Sequence, residues 1–201
     1  MTSLEAILRR IDADLVQARV AFALVGGLAV SARTEPRFTR DADLAVALDG
    51  DAEAQSLVHR LRLIGYGIGS LVEQEAVGRL ATVRLTHSPA PQAPVVDLLF
   101  ASSGIEPDVV AAAEPIEVLP QLTMPVATTG HLIALKVLSR DDSRRPQDLV
   151  DLRTLLASAS AADLDVAREA LGLIVARGYE RGRDLLADMR SLSIAGGSGS
   201  Q

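Results

Sequence analysis

The sequence has 201 residues, of which 48% are hydrophobic and only 2% aromatic, and it carries a formal net charge of −6. This length fits one domain, or one compact core with a helical extension, and aliphatic side chains must fill its core. The acidic balance leaves only local basic patches for binding a polynucleotide, and the absence of cysteine excludes disulfides, thiolate metal sites and cysteine nucleophiles.

Hydrophobic spacing in the first part of the chain predicts alternating helices and strands. Residues 65–69 contain three glycines and are interpreted as a turn, and the proline-rich stretch 87–94 as a loop. The predicted elements are a helix at about 3–19, a strand at 20–25, a helix at 28–33, a strand at 41–48, a helix at 51–64, and strands at 80–86, 95–100 and 117–119.

After Pro125 the pattern becomes helical. Helices are predicted at 129–138, at 146–156, from a capping box at Ser160 to about Arg177, and at 179–192, followed by a flexible tail at 196–201. The order predicts an α+β fold: a mixed-sheet core flanked by helices at 1–125, then a helical region at 126–195.

Neither a membrane span nor a signal peptide is predicted. No apolar run approaches the ~20 residues that a span needs. The N-terminus, MTSLEA, is acidic and amphipathic, unlike a signal peptide. We therefore expect a cytoplasmic protein.

Two carboxylates on one predicted strand are the first candidate site. Asp41 and Asp43 stand at i and i+2, so both side chains point to one face of the strand. Two such charges repel unless a cation lies between them, and carboxylate oxygens are ligands that Mg²⁺ prefers. A solvated strand edge is the alternative, and the pattern by itself favours it.

A glycine pair precedes these acids. Gly26 and Gly27 lie between the predicted strand at 20–25 and the helix at 28–33. Glycines there let the backbone approach a phosphate closely, with a helix N-terminus facing the anion. An ordinary tight turn is the alternative, but the glycine pair and the acid pair together favour a phosphate and metal site.

Asp97 is the third candidate acid. It lies in the apolar strand VVDLLF at 95–100, where a bare charge is costly and is usually paired or metal-bound. The two interpretations are a salt bridge with an arginine such as Arg84, or a third carboxylate that completes a metal site and acts as general base.

Basic residues supply further candidates. Lys136 is the only lysine among 20 basic residues, which suggests either a role that arginine does not fill or chance survival on a helix surface. Two arginine clusters flank the proposed site and either bind phosphates of an NTP or RNA, or are solvated loop charge. They are Arg33, Arg37 and Arg40, and Arg140, Arg144 and Arg145. A third group, Arg177, Arg181 and Arg183, is predicted on a helix surface.

Together these motifs resemble the polymerase-β-like nucleotidyltransferase superfamily. Segments 22–31 (FALVGGLAVS) and 37–44 (RFTRDADL) are more closely similar to the AbiEii/AbiGii toxin-type nucleotidyltransferases, which include the MenT toxins. Segments 132–138 (LIALKVL) and 144–152 (RRPQDLVDL) resemble the downstream lysine and aspartate motifs of that group. The resemblance covers residues 20 to about 157.

The resemblance implies a role for each matching residue. The glycine pair would shape a triphosphate cradle, and Asp41 and Asp43 would hold Mg²⁺ or Mn²⁺. Asp97 would be the third carboxylate or the base. Lys136 would contact nucleotide phosphates, and Asp148 at the rim would contact nucleotide or orient Lys136.

One residue departs from the pattern of the superfamily. Many members carry Ser or Thr directly after the glycine pair, where this chain has Leu28, and Ser31 follows one helical turn later. Ser31 is the candidate to replace the missing hydroxyl at the cradle. Arg40 is the candidate cation beside the acid pair for the phosphates of the NTP.

The function implied is transfer of a nucleoside monophosphate from an NTP to an acceptor. RNA or tRNA is the expected acceptor, in a toxin of a toxin–antitoxin or phage-defence system with a cognate antitoxin protein. The alternatives are transfer to a small molecule such as an aminoglycoside or to a protein hydroxyl, or a non-catalytic nucleotide-binding module.

Overall fold

The computed structural model describes residues 4–37, 39–74, 78–86, 93–141 and 146–197. Helices in these ranges are α1 (Leu4–Gln17), α2 (Gly26–Arg33), α3 (Asp51–Leu63), α4 (Glu106–Ala111), α5 (Thr129–Ser139), α6 (Pro146–Ser158), α7 (Ala161–Ala176) and α8 (Leu185–Gly197). Strands are β1 (Ala21–Val25), β2 (Asp41–Ala47), β3 (Gly67–Gln74), β4 (Arg79–Thr86), β5 (Val95–Leu99), β6 (Glu114–Leu119) and β7 (Leu122–Val126).

The strands form one mixed sheet in the order β3-β4-β5-β2-β1-β7-β6. β2 lies near its middle, antiparallel to β1 and parallel to β5. The register sets Asp43 of β2 opposite Asp97 of β5, and Asp97 opposite Arg84 of β4. Charged residues from three neighbouring strands therefore lie side by side on one face of the sheet.

Aliphatic packing explains how the helices are placed. In α1, Ile7, Leu8, Ile11 and Leu15 recur at helical spacing and are fully buried. Helix α5 is buried on nearly every side, because it packs between the sheet-bound α2 and the outer helices α6 and α7. This position brings the side chain of Lys136 from the helical region to the cleft that the acids of the sheet also line.

The observed architecture confirms the predicted α+β fold with a mixed sheet flanked by helices. One cluster of buried apolar side chains extends from Ile7 in α1 to Met189 in α8. The division at residue 125 stays a prediction. Among the described residues, no helix has the length and apolar character required to span a bilayer.

Several predicted elements were wrong. Residues 67–74 form strand β3 and not a turn, and the glycine pair opens α2 instead of preceding it. Helix α4 and strand β7 were not predicted, β6 begins at Glu114, and α8 begins at Leu185 and includes residues 196–197 of the predicted tail. Residues 87–92 of the predicted loop and 198–201 of the tail lie outside the described residues.

The glycines of β3 explain why that strand was mistaken for a turn. A Cβ atom on Gly67 would stand 2.8 Å from Thr86 Oγ1, and one on Gly69 would stand 3.3 Å from Arg84 Cγ. β3 is therefore glycine-rich because side chains of its neighbour β4 lie across it, which the local sequence does not reveal.

Candidate active site

A cleft of about 530 Å³ lies between the sheet and helices α5 and α6. Seven of the nine predicted site residues line it: Gly26, Gly27, Asp41, Asp43, Asp97, Lys136 and Asp148. The other two, Ser31 and Arg40, are not part of its lining. The fold thus brings together, around one cleft, residues up to 122 positions apart in the sequence (26 to 148).

The glycine pair places backbone directly beside an acid. Gly26 follows β1 with a φ of 65°, and a Cβ atom there would overlap Asp43 Oδ2 and stand 2.6 Å from Asp43 Cγ. A Cβ atom on Gly27 would stand 2.5 Å from Arg37 Nη2. Gly26 therefore requires glycine for its left-handed backbone as well as for space, whereas a side chain at residue 27 would displace the end of the Arg37 side chain.

The same turn begins helix α2. Its N-cap, Val25, provides no side-chain hydrogen bond. The first amide groups of a helix have no partner within it and favour an anion. A phosphate placed at this turn would therefore meet backbone donors and the Asp43 carboxylate within one small region.

The acids of β2 alternate with the core. Ala42 and Leu44 are fully buried, whereas Asp41 and Asp43 are half-buried and turn to the cleft. This confirms the predicted strand and the shared face of both carboxylates. Asp43 Oδ2 lies where a Cβ atom of residue 26 would stand, so the two carboxylates lie beside the glycine turn and fit a divalent cation that carries phosphate.

Asp97 lies beside this pair but is held by a guanidinium. Arg84 Nε donates to Asp97 Oδ1 at 2.8 Å, and Nη2 donates to Oδ2 at 2.6 Å. These hydrogen bonds, helped by the charges of Asp97, Asp41 and Asp43, raise the pKa of Arg84 further above its ordinary value. Arg84 therefore lies in the field of all three carboxylates.

The salt bridge with Arg84, one of the two interpretations of Asp97, is thus formed. In the described part of the chain, no three His, Cys, Asp or Glu side chains are grouped closely enough to hold one metal ion. The backbone register aligns Asp97 with Asp43, but the Asp97 carboxylate is turned to Arg84. Its assignment as a third metal ligand stays a prediction.

A buried charge network forms the opposite wall of the cleft. Lys136 Nζ lies 2.6 Å from Asp148 Oδ1 and 2.8 Å from Asp151 Oδ2. Arg37 Nη2 lies 2.7 Å from the same oxygen of Asp151, and Ser139 Oγ donates to Asp148 Oδ2 at 3.3 Å. Two cations thus face two carboxylates, and the site of Lys136 is balanced in charge.

Asp151 is one residue that sequence reasoning missed. Burial alone raises the pKa of this carboxyl, but hydrogen bonds from Arg37 and Lys136 outweigh burial and bring the pKa below its ordinary value. The spacing of Asp148 and Asp151 at i and i+3 on α6 was the available signal, because such residues share a helix face. Asp148 itself is buried, although it was predicted at the rim.

Ser31 lies outside the lining of the cleft. Its Oγ donates to the Gly27 carbonyl at 3.1 Å and accepts from the Arg37 backbone N–H at 3.3 Å. The hydroxyl therefore ties the first turn of α2 to the segment that carries Arg37, and its role in place of the hydroxyl missing at Leu28 stays a prediction. Arg40 is exposed.

The arginine clusters divide into different roles. Arg33 was predicted beside the site but anchors α2 to the sheet, donating to the carbonyls of Val126 and Ala127 and pairing with Glu114 at 2.6 Å. Arg37 lines the cleft. Residues 144 and 145 lie outside the described residues.

The third arginine group was predicted on a helix surface, which is wrong for two of its members. Arg181 and Arg183 lie in the connection between α7 and α8, and Arg181 lines the cleft while its Nη2 donates to the Ser102 carbonyl at 3.0 Å. Arg177 pairs with Asp108 beyond the cleft. Arg181 has a left-handed backbone with a φ of 56°, which an arginine in the sequence does not indicate. Its place in the cleft was therefore not predictable.

Comparison with known proteins supports the resemblance inferred from the motifs. A family model described as the nucleotidyl transferase AbiEii toxin of a type IV toxin–antitoxin system matches residues 6–195. No curated protein matches the sequence.

The chain is similar to several solved structures, and the first of the three that follow shows its fold. The solution structure of the antibiotic-resistance factor ANT(2'')-Ia is 16% identical with a TM-score of 0.54, covering 85% of this chain and 92% of that chain. The lincomycin-bound lincosamide antibiotic adenylyltransferase LnuA is 15% identical with a TM-score of 0.49, covering 79% and 100%. The nucleotidyltransferase toxin MenT4 from Mycobacterium tuberculosis H37Rv is 15% identical with a TM-score of 0.36, covering 93% and 92%.

Proposed function

Because the chain belongs to the AbiEii nucleotidyltransferase toxin family, we propose that it transfers a nucleoside monophosphate from an NTP to a hydroxyl of RNA, with tRNA as the foremost candidate. The observation that carries this proposal is the contact between Gly26 and Asp43. The Asp43 carboxylate lies where a Cβ atom of residue 26 would stand, so a cation held by Asp43 would lie beside a helix N-terminus that favours a phosphate.

The nucleotide is held by backbone and by charge. Its triphosphate lies along the turn of Gly26 and Gly27, where the first amides of α2 donate to phosphate oxygens. Asp41 and Asp43 would hold Mg²⁺ or Mn²⁺, which when bound polarises the phosphate oxygens and offsets their charge. Lys136 lines the same cleft, and although Asp148 and Asp151 balance its charge, its ammonium group is assigned the contact with the leaving pyrophosphate.

The chemical step is an in-line displacement at the α-phosphate. The oxygen of the acceptor forms a bond to the α-phosphorus while the bond from that phosphorus to the bridging oxygen breaks, and pyrophosphate leaves. The proton of the attacking hydroxyl goes to Asp97, which lies opposite Asp43 on the neighbouring strand. Positioning and charge supply the catalysis, without a covalent enzyme intermediate.

An exposed arginine at the mouth of the cleft supports an anionic acceptor. Arg181 is exposed and lines the opening, whereas the charge of Arg84 is matched by its ion pair with Asp97. A guanidinium group binds phosphates of a polynucleotide and repels a cationic aminoglycoside. Arg181 therefore supplies local positive charge that the acidic net charge of −6 does not.

The cellular setting proposed is that of a toxin with a cognate antitoxin, as the description of the family implies. Expression of the wild-type chain without an antitoxin should arrest growth, whereas expression of an Asp43→Asn variant should not. Growth arrest by both proteins would separate toxicity from nucleotide transfer and contradict this setting.

The decisive experiment incubates the purified chain with total tRNA and each labelled NTP in turn, in Mg²⁺ or Mn²⁺. Label should enter RNA with at least one NTP. Asp43→Asn should reduce transfer by at least about 100-fold, since metal-held charge stabilisation is worth several kcal/mol. Asp165→Asn, at an exposed surface ion pair, is the control and should transfer at the wild-type rate.

Two results would contradict the proposal. Undiminished transfer by Asp43→Asn would remove the metal assignment. Transfer of label to an aminoglycoside but not to RNA would replace the acceptor.

A further inference from the structure

Arg84 and Asp97 form an ion pair at the centre of the acidic face. We propose that Arg84 is a positioning residue that competes with the divalent cation for Asp97: it holds this carboxylate in the cation-free protein and releases it when the cation binds. This inference rests on the proposed function, because that function supplies the cation. It assigns to Arg84 the control of how tightly the cation binds.

The geometry of the pair makes the competition direct. The two guanidinium N–H groups of Arg84 occupy both oxygens of Asp97, at 2.8 and 2.6 Å. A planar fork of this kind orients the whole carboxylate as well as neutralising it. A cation that takes Asp97 as a ligand needs one of these oxygens, so at least one N–H···O bond must break.

The position of Arg84 is built into the sheet. Arg84 lies opposite Asp97 in the register of β4 and β5. On its other side, the absence of a side chain at Gly69 leaves room for the stem of Arg84, because a Cβ atom at residue 69 would stand 3.3 Å from Arg84 Cγ. Two neighbouring strands therefore hold the guanidinium beside the acids.

The pair is nevertheless open enough to be exchanged. The side chains of Arg84 and Asp97 are 44% and 13% exposed, whereas those of Lys136, Asp148 and Asp151 are at most 9% exposed. Breaking a partly exposed ion pair costs little, because water replaces the lost contacts, while breaking a buried one is expensive. Of these two networks at the cleft, the Arg84–Asp97 pair is the one that a cation can displace.

Electrostatics explain why a guanidinium belongs there. Arg84 experiences the charges of Asp41 and Asp43 in addition to that of Asp97. Three carboxylates on one sheet face repel each other unless a positive charge compensates them. Arg84 supplies that charge before the cation arrives. Since coupling is reciprocal, whatever Arg84 gains from Asp97 is lost from the affinity of the protein for the cation.

The test measures Mn²⁺ binding to the full chain without nucleotide, by the loss of the free Mn²⁺ signal in electron paramagnetic resonance. Arg84→Ala should bind Mn²⁺ about tenfold more tightly than wild type, equivalent to ~1.4 kcal/mol. Arg84→Lys keeps the charge but loses the fork, and should fall between them. Arg79→Ala is the matched control, because Arg79 lies on the same strand and pairs with Asp51 at 3.4 Å with 36% exposure.

A double-variant comparison separates competition for Asp97 from a general effect of charge. In an Asp97→Asn background, Arg84→Ala should change Mn²⁺ affinity less than twofold. A full tenfold gain in that background would overturn the proposal, because the effect would then come from long-range charge alone. Equal or weaker Mn²⁺ binding by Arg84→Ala in the wild-type background, or no binding by either protein, would also overturn it.

The result is distinguishable from a failure of the proposed function. If Arg84→Ala binds Mn²⁺ no more tightly while wild type still transfers nucleotide to RNA in a manner that needs Asp43, only the role of Arg84 fails. Thermal unfolding of each variant in the absence of Mn²⁺ checks that the fold is kept.

Discussion

Gly26 and Asp43 approach so closely that a Cβ atom on residue 26 would stand 2.6 Å from Asp43 Cγ. Gly26 also has a φ of 65°, in the left-handed region, where an L side chain costs roughly 1–2 kcal/mol. A Gly26→Ala variant should therefore lose stability and, because Asp43 must move, also lose nucleotide transfer. Urea unfolding and the labelled-NTP assay measure the two effects separately.

Gly78 offers a matched control for that variant. Its φ of 61° is nearly the same, but a Cβ atom there would meet nothing within 4 Å. Gly78→Ala should show the strain of the left-handed backbone alone, about 1 kcal/mol of lost stability, with transfer unchanged. Equal loss of activity in both variants would show that crowding at Asp43 is not the cause.

Asp151 is expected to stabilise the wall of the cleft. It accepts from Arg37 and Lys136 while almost fully buried. Asp151→Asn removes the negative charge between two cations, which costs about 3–5 kcal/mol when a buried pair is broken from one side. Urea denaturation should show this loss, and Asp165→Asn, at an exposed pair, should change stability by less than about 1 kcal/mol.

The two acids of β2 were predictable because the signal is local. Asp41 and Asp43 alternate with buried Ala42 and Leu44, and a period of two needs only the sequence of one strand. Their alignment with Asp97 depends on the register between β2 and β5, which a family resemblance implies but periodicity does not. The local pattern therefore predicts Asp41 and Asp43 as a pair, whereas the pairing of β2 with β5 brings Asp97 to the same face of the sheet.

Features set by tertiary contacts were the ones missed. The glycines of strand β3 favour a turn in the local sequence, but in the fold they lie against side chains of β4, Gly67 closest to Thr86 and Gly69 beside Arg84. Strand β7 contains Pro125, which a local rule takes as the end of a strand. The strand forms near the sheet edge, where Pro115 of β6 lies opposite Pro125. The two backbone N–H groups that proline lacks are therefore missing at the same point of the strand pair.

His131 should make stability depend on pH. Burial lowers its pKa below 6.5 in the folded state, with the charge of Asp108 opposing this. In the window below pH 6.5 and above the folded pKa, the unfolded chain binds more protons than the folded one, so stability falls as pH falls. Urea midpoints between pH 8 and pH 5 should decline for wild type below pH 6.5.

Two variants test the source of this decline. His131→Gln should flatten the profile between pH 8 and pH 5, and His59→Gln should leave it as in wild type, because His59 is exposed. A decline of equal size in His131→Gln would assign the pH dependence to other groups.

Arg181 should act on the acceptor and not on the nucleotide. It lines the cleft from the connection between α7 and α8. Its backbone has a φ of 56°, and its side chain donates a hydrogen bond to the Ser102 carbonyl. If it contacts an RNA phosphate, Arg181→Ala should raise the KM for RNA while the KM for NTP stays constant. The slope of log affinity for RNA against log salt should fall by about 1, since one phosphate contact is lost.

Arg177→Ala removes an arginine that pairs with Asp108 outside the cleft lining, so it should leave both KM values and the salt slope unchanged. Equal effects of the two variants would mean that RNA binds across the outer surface of the connection, and the cleft would then admit only the nucleotide.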